Sequence, residues 1–115
     1  MPLLHLTTNL ELHRESEQAA AASLSGLAAR LLGKPESYVM TVVQGGQAMT
    51  FGGSDEPCAY LQLKSLGLPE DRTGDFSAAL CDHVKETLGI ETARIYIEFS
   101  SPARHMWGWD RTTFG

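Results

Sequence analysis

The sequence predicts an α+β fold, a two-layer sandwich in which one four-stranded mixed sheet carries two helices on one face. Three observations lead there. Sliding the chain over itself by 56 residues, the separation of Gly33 and Gly89, makes its punctuation coincide: Leu32-Gly33 falls on Leu88-Gly89, residues 39–43 fall on 95–99, and Pro2 falls on Cys58. Each half reads strand, helix, strand, and a right-handed crossover makes the two strands of each half parallel. The 115 residues are enough for one modest core and not for two. A single domain over residues 1–115, with pseudo-repeats at 2–50 and 58–104, is therefore expected.

The elements follow in order. Residues 2–7 are an apolar run with β-compatible ends, a strand. Residues 14–32 form the first helix, because Leu24, Leu27, Ala28 and Leu31 follow the i, i+3, i+4, i+7 spacing and the alanine run from Ala19 to Ala22 adds helix propensity. Gly33 is placed to close it in the left-handed conformation, and Pro35 blocks continuation. Residues 38–43, rich in β-branched side chains, are a second strand. Gly45-Gly46 and Gly52-Gly53 bracket residues 47–51, read as a turn and a small edge strand. Residues 59–65 alternate as a half-buried strand. Asp71 or Thr73 caps a second helix that runs to Leu88, with Phe76, Leu80 and Val84 on one face and Gly89 at its end. Residues 94–99 are the last long strand. The tail carries Trp107, Trp109 and Phe114, which need cover; a short strand pairing with another subunit would supply it. With both helices on one face the other is bare, and a domain this small is expected to cover it by oligomerising.

Composition narrows the function. A net charge of −5 argues against nucleic-acid and anionic-membrane partners. The notable basic grouping is Arg104, His105 and Arg111, near the C-terminus. No apolar run reaches the length of a membrane span, and no signal-peptide pattern opens the chain, so a cytoplasmic protein is expected. Cys58 and Cys81 are too few to staple the fold, which points to a reducing compartment. His5, His13, His83 and His105 lack ligand spacing, so no metal is expected, and Gly33-Lys34 lacks the context of a phosphate loop.

Pro2 is the residue whose chemistry stands out. Once the initiator methionine is removed it becomes a secondary amine. A bare α-amine has a pKa of about 7.7–8.0. Burial and neighbouring cations lower that towards the working pH of a general base.

Met1-Pro2, Gly33-Lys34-Pro35, Phe51-Gly52-Gly53-Ser54, Glu56-Pro57-Cys58, Tyr96-Ile97, Gly108-Trp109 and Thr113-Phe114 together resemble the macrophage migration inhibitory factor family of the tautomerase superfamily, over the whole chain and almost without gaps. The resemblance implies a homotrimer whose sheets wrap a central channel. It implies an active site at each subunit interface that tautomerises phenylpyruvate-type aromatic 2-keto acids, with dopachrome-type substrates as a second class, and no cofactor. Carried over residue by residue, it makes Pro2 the catalytic base and Lys34 the ligand of the substrate carboxylate. Leu66 sits where a backbone amide assists that grip. Tyr96 matches an aromatic from the neighbouring subunit, and Tyr38, Trp109 and Phe114 match an apolar wall with Ser65 beside it. Glu98 and Trp107 depart from the pattern, standing where the vertebrate proteins carry an asparagine and a small aliphatic residue, and should alter pocket polarity and shape. Cys58 matches the first cysteine of the family's Cys-x-x-Cys, but Leu61 replaces the second, so thiol–disulfide activity is not carried over.

The residue types suit that chemistry. Tautomerising a 2-keto acid needs a base near the carbon beside the carbonyl, a cation for the carboxylate and an apolar slot for the ring. Pro2 supplies the first with its φ fixed by the ring, and Lys34 supplies the second while disfavouring a protonated Pro2. The competing expectation is a secreted signalling protein that binds a receptor and keeps the pocket by descent; family members leave cells without a signal peptide.

Overall fold

Side chains at every second position set the sheet. The computed structural model describes all residues, Met1–Gly115. In strand β1 (Pro2–Thr8) the residues Pro2, Leu4, Leu6 and Thr8 are buried, and in β3 (Ala59–Ser65) Ala59, Leu61, Leu63 and Ser65 are buried. The period of two puts each set on one face. These strands pair antiparallel, Leu4 opposite Leu63 and Leu6 opposite Leu61. Strand β2 (Met40–Gln44) adds parallel to β1, and β4 (Ile95–Ser100) adds parallel to β3. The order is β2-β1-β3-β4, so the mixed sheet joins two parallel pairs through one antiparallel seam.

Helix α1 (Arg14–Leu32) crosses from β1 to β2, and α2 (Thr73–Leu88) crosses from β3 to β4. Buried Leu24 and Ala28 of α1 join Phe76, Leu80 and Val84 of α2 and the four central leucines in one core cluster, so both helices lie on the same face. Leu27 and Leu31 are only partly buried at its edge. The alanines let α1 sit close to β2, where the Thr41 hydroxyl donates to the Ala21 carbonyl at 2.9 Å. Gly33 and Gly89 close the helices with φ of 61° and 72°, a conformation that strains any residue with a Cβ. Each glycine is followed by a 3₁₀ turn, Glu36–Tyr38 and Thr92–Arg94, before the next strand.

Those turns correct two strand starts. Tyr38 and Arg94 lie in the 3₁₀ turns, and the strands begin at Met40 and Ile95. Residues 47–51 form no edge strand; Phe51 makes one isolated bridge to Ser54. The backbone donors of Gly46 and Gln47 are used instead on Leu10 and Thr8, at 2.7 and 3.1 Å. Neither Asp71 nor Thr73 caps α2, whose N-cap is Arg72 with no side-chain bond; the Thr73 hydroxyl turns back to the Glu70 carbonyl at 3.4 Å. In the tail, β5 (Gly108–Trp109) and β6 (Thr112–Thr113) pair with each other as a hairpin of this same chain.

The open sheet face mixes polar and apolar side chains. By alternation and register it carries Leu3 and His5, Met40, Val42 and Gln44, Tyr60, Gln62 and Lys64, and Tyr96 and Glu98. Glu98 accepts from Tyr60 Oη at 3.0 Å and from Gln62 Nε2 at 3.3 Å, and His5 Nε2 bonds Gln44 Oε1 at 2.7 Å. Two of the exposed large apolar side chains, Met40 and Tyr96, lie on this face; the others, Tyr38, Met106 and Trp109, lie outside the four-stranded sheet.

Candidate active site

Pro2 opens β1 level with Ser65, and its ring is fully buried. It forms part of the lining of a cavity of about 470 Å³ that also includes Met1, Tyr38, Met40, Trp107, Trp109 and Phe114. The 3₁₀ turn after α1 brings Tyr38 there, and the tail hairpin brings the other aromatics. Trp109 stacks on Phe114 with centroids 5.8 Å apart and planes 13° apart. The Phe114 amide donates to the Trp107 carbonyl at 3.2 Å, and Arg104 Nε donates to the Phe114 carbonyl at 2.8 Å. The tail is thereby folded back as an aromatic wall.

Lys34 follows the helix-closing glycine, and its Nζ reaches the Leu66 carbonyl at 3.5 Å. Leu66 is the residue after Ser65, so the lysine lies at the Pro2 end of the sheet. Ser65 is buried and donates to the Leu66 carbonyl at 3.2 Å, which gives it a packing and hydrogen-bonding task beneath Pro2. The Met1 amine sits in this environment. Its pKa is held below the usual α-amine value, first by burial, then by the charges of Lys34 and Arg104. Proton loss is made easier at this spot because water is displaced and two cations oppose a third.

Tyr96 and Glu98 lie elsewhere in the chain. Tyr96 is level with Tyr60, which is level with Thr7, while Pro2 is at the other end of β1. Five residues of strand and two inter-strand steps separate them, about 17 Å along and about 10 Å across. Tyr96 lines a second cavity of about 260 Å³ with Met49, Phe51, Cys58 and Tyr60. Its ring packs on Phe51 at 4.8 Å. Glu98 is level with Gln62 on the open face, and its carboxyl is held below the usual range by the Gln62 hydrogen bond first and by that of Tyr60 next. One chain therefore assembles Pro2, Lys34, Leu66, Ser65, Tyr38, Trp107, Trp109 and Phe114 at one end, and leaves Tyr96 and Glu98 outside that group. Arg104 was legible only as part of a basic grouping in the tail; its place beside the N-terminus comes from the hairpin fold-back, for which no local motif speaks.

A two-layer α+β subunit with a buried proline at the start of its first strand, at the mouth of an aromatic cavity, defines a member of the tautomerase superfamily. Within it, the chain belongs to the macrophage migration inhibitory factor family, whose model, described as "Macrophage migration inhibitory factor (MIF)", matches residues 1–115. A macrophage migration inhibitory factor homolog of Brugia malayi is 39% identical over 116 residues, covering 100% of both chains. D-dopachrome decarboxylase-B of Xenopus laevis is 35% identical over 101 residues, covering 86% of this chain and 85% of that protein. The crystal structure of the homologue from Prochlorococcus marinus superposes with a TM-score of 0.91 at 40% identity, covering 98% of this chain and 99% of the other. No helix is long and apolar enough to cross a membrane.

Proposed function

We propose that this protein is a cofactor-independent keto–enol tautomerase of phenylpyruvate-type aromatic 2-keto acids, with Pro2, freed of Met1, as the general base. The observation that carries the reading is the buried Pro2 lining an aromatic cavity, with Lys34 at the same end of the sheet. The amine beside it is already held below its usual value by burial and by the charges of Lys34 and Arg104, and free Pro2 would place its amine one residue deeper. Lys34 holds the substrate carboxylate, with the Leu66 backbone beside it. Tyr38, Trp107, Trp109 and Phe114 take the aromatic ring. The Pro2 nitrogen removes a proton from the carbon beside the carbonyl and returns it to the oxygen in the enol direction, or runs the reverse.

Tyr96 and Glu98 complete such a site only from another copy. The Pro2 end and the Tyr96 edge are different surfaces of one chain, so joining them is a head-to-tail contact, which makes a ring when its rotation closes. A homotrimer with three shared sites is the assembly proposed, its open sheet faces turned towards a central channel. The test is turnover of phenylpyruvate by protein of confirmed mass lacking Met1, beside the same protein with its Pro2 nitrogen acetylated, which turns the amine into an amide. Loss of a general base lowers kcat by about 100-fold or more. An acetylated protein as active as its parent removes the reading.

The relatives' names carry a second reading, a signalling protein that binds a receptor. Binding of that kind uses surface and not the Pro2 amine, so acetylating the Pro2 nitrogen should abolish turnover and leave receptor binding intact.

A further inference from the structure

Two cations flank the N-terminus, and one 2-keto acid needs only one. Lys34 reaches it from the end of α1 and is tied to the Leu66 carbonyl. Arg104 reaches it from the 3₁₀ turn Arg104–Met106 that precedes β5. Its Nε is fixed on the carbonyl of Phe114, whose ring lines the Pro2 cavity. The same turn is closed by the Trp107 amide on the Arg104 carbonyl at 3.3 Å, and Trp107 lines the cavity as well. The guanidinium stem is therefore registered to the aromatic wall at both ends of the tail.

Neither cation is neutralised. The chain has 14 acidic residues, yet its three ion pairs use Arg14, Arg72 and Lys85. Arg104 bonds through Nε alone, which leaves the two terminal nitrogens of the guanidinium free. A planar pair of donors with no partner matches a carboxylate edge-on. After burial, the charges of both cations lower the pKa of the N-terminal amine.

We propose that Arg104 is a second anion-binding residue at the Pro2 site, and that the site is built for an aromatic 2-keto acid carrying a further carboxylate on its ring. This rests on the tautomerase reading for its substrate and not for its binding. The keto-acid carboxylate pairs with Lys34 and the ring lies against Trp107, Trp109 and Phe114. The distal carboxylate reaches the free edge of Arg104. Protons move as in the monoanion, since the second carboxylate takes no part in the tautomerisation.

The experiment uses full-length chain processed to Pro2, with binding read from the tryptophan emission of Trp107 and Trp109. The probes are benzoate and terephthalate, which bind without reacting, and the substrates are phenylpyruvate and 4-carboxyphenylpyruvate. A charge-assisted carboxylate pair at a half-open site predicts about tenfold tighter binding of terephthalate than of benzoate, shrinking as salt rises. The same preference should appear in kcat/KM. Arg104→Gln keeps a donor for the Phe114 carbonyl but no charge, and should bring both preferences within about twofold. Arg104→Lys keeps the charge and should retain most of them. The ratio of the two substrates cancels any effect of Arg104 on the basicity of Pro2. Equal losses for both probes in Arg104→Gln would mean that the two cations share one carboxylate, and would overturn the proposal. So would a native protein with no preference. A terephthalate preference in a protein that turns over neither substrate would leave Arg104 as an anion site and remove the tautomerase reading instead.

Discussion

At the residue scale the account turns on one nitrogen. In a chain that keeps Met1, the Pro2 nitrogen is a tertiary amide whose lone pair is delocalised into the carbonyl. Met1 also forms part of the lining of the cavity the substrate would enter. Protein retaining Met1 should therefore be nearly inactive on phenylpyruvate, and trimming should restore turnover; assays of the two forms, separated by intact mass, check this. Pro2 and Lys34 were legible because a Met-Pro start and a lysine after a helix-closing glycine are local features. Arg104 was not, because its meaning depends on a bond to Phe114 ten residues later. Glu98 was expected to alter the polarity of the pocket. In the structure its oxygen accepts from Tyr60 and Gln62, neighbours on the adjacent strand that sequence spacing alone does not pair.

At the element scale the helices and central strands were legible almost to the residue, because apolar periodicity and αL glycines act locally. The segment 45–57 was not, since it is held from outside. Arg94 donates to four of its carbonyls: Pro57 at 2.9 Å, Phe51 and Ser54 at 3.2 Å, and Glu56 at 3.0 Å. It also lies over the Phe51 ring, 5.3 Å from its centroid, and Phe51 packs on Tyr96. Arg94→Met should leave several of these carbonyls without a charged donor and cost about 2 kcal/mol, read as a lower urea midpoint with faster amide exchange over residues 51–57. The tail hairpin holds the opposite lesson. Asp110 and Arg111 sit at φ of 47° and 70° in its two-residue turn, where glycine or asparagine is favoured. A left-handed residue with a Cβ costs about 1–2 kcal/mol, and glycine loses about 0.5–1 kcal/mol of chain entropy. Arg111→Gly should therefore stabilise by about 0.5–1 kcal/mol in the same denaturation experiment.

At the scale of the whole molecule, a bare sheet face was the sequence's argument for assembly, and the structure refines that argument. The face bears a hydrogen-bonded polar set beside exposed Met40 and Tyr96, and Tyr38 and Trp109 add exposed apolar surface outside the sheet. Alternation alone could not show which polar side chains meet, because that depends on strand order and register. Sedimentation equilibrium at micromolar concentration should give three times the 12.5 kDa chain mass, and Tyr96→Arg should shift it towards the monomer. The central claim is that assembly and fold together turn an N-terminal proline into a base at neutral pH. It is tested most directly by titrating the ¹⁵N-labelled Pro2 nitrogen of Met1-free protein by NMR beside the pH profile of phenylpyruvate turnover. Burial and two cations disfavour the protonated amine, so its pKa should fall below the ordinary α-amine range of about 7.7–8.0. Activity should then rise with pH through that same lowered value, and Lys34→Met should move both upwards together. A Pro2 nitrogen that titrates in or above the ordinary range, or a rate profile that ignores it, would contradict the account.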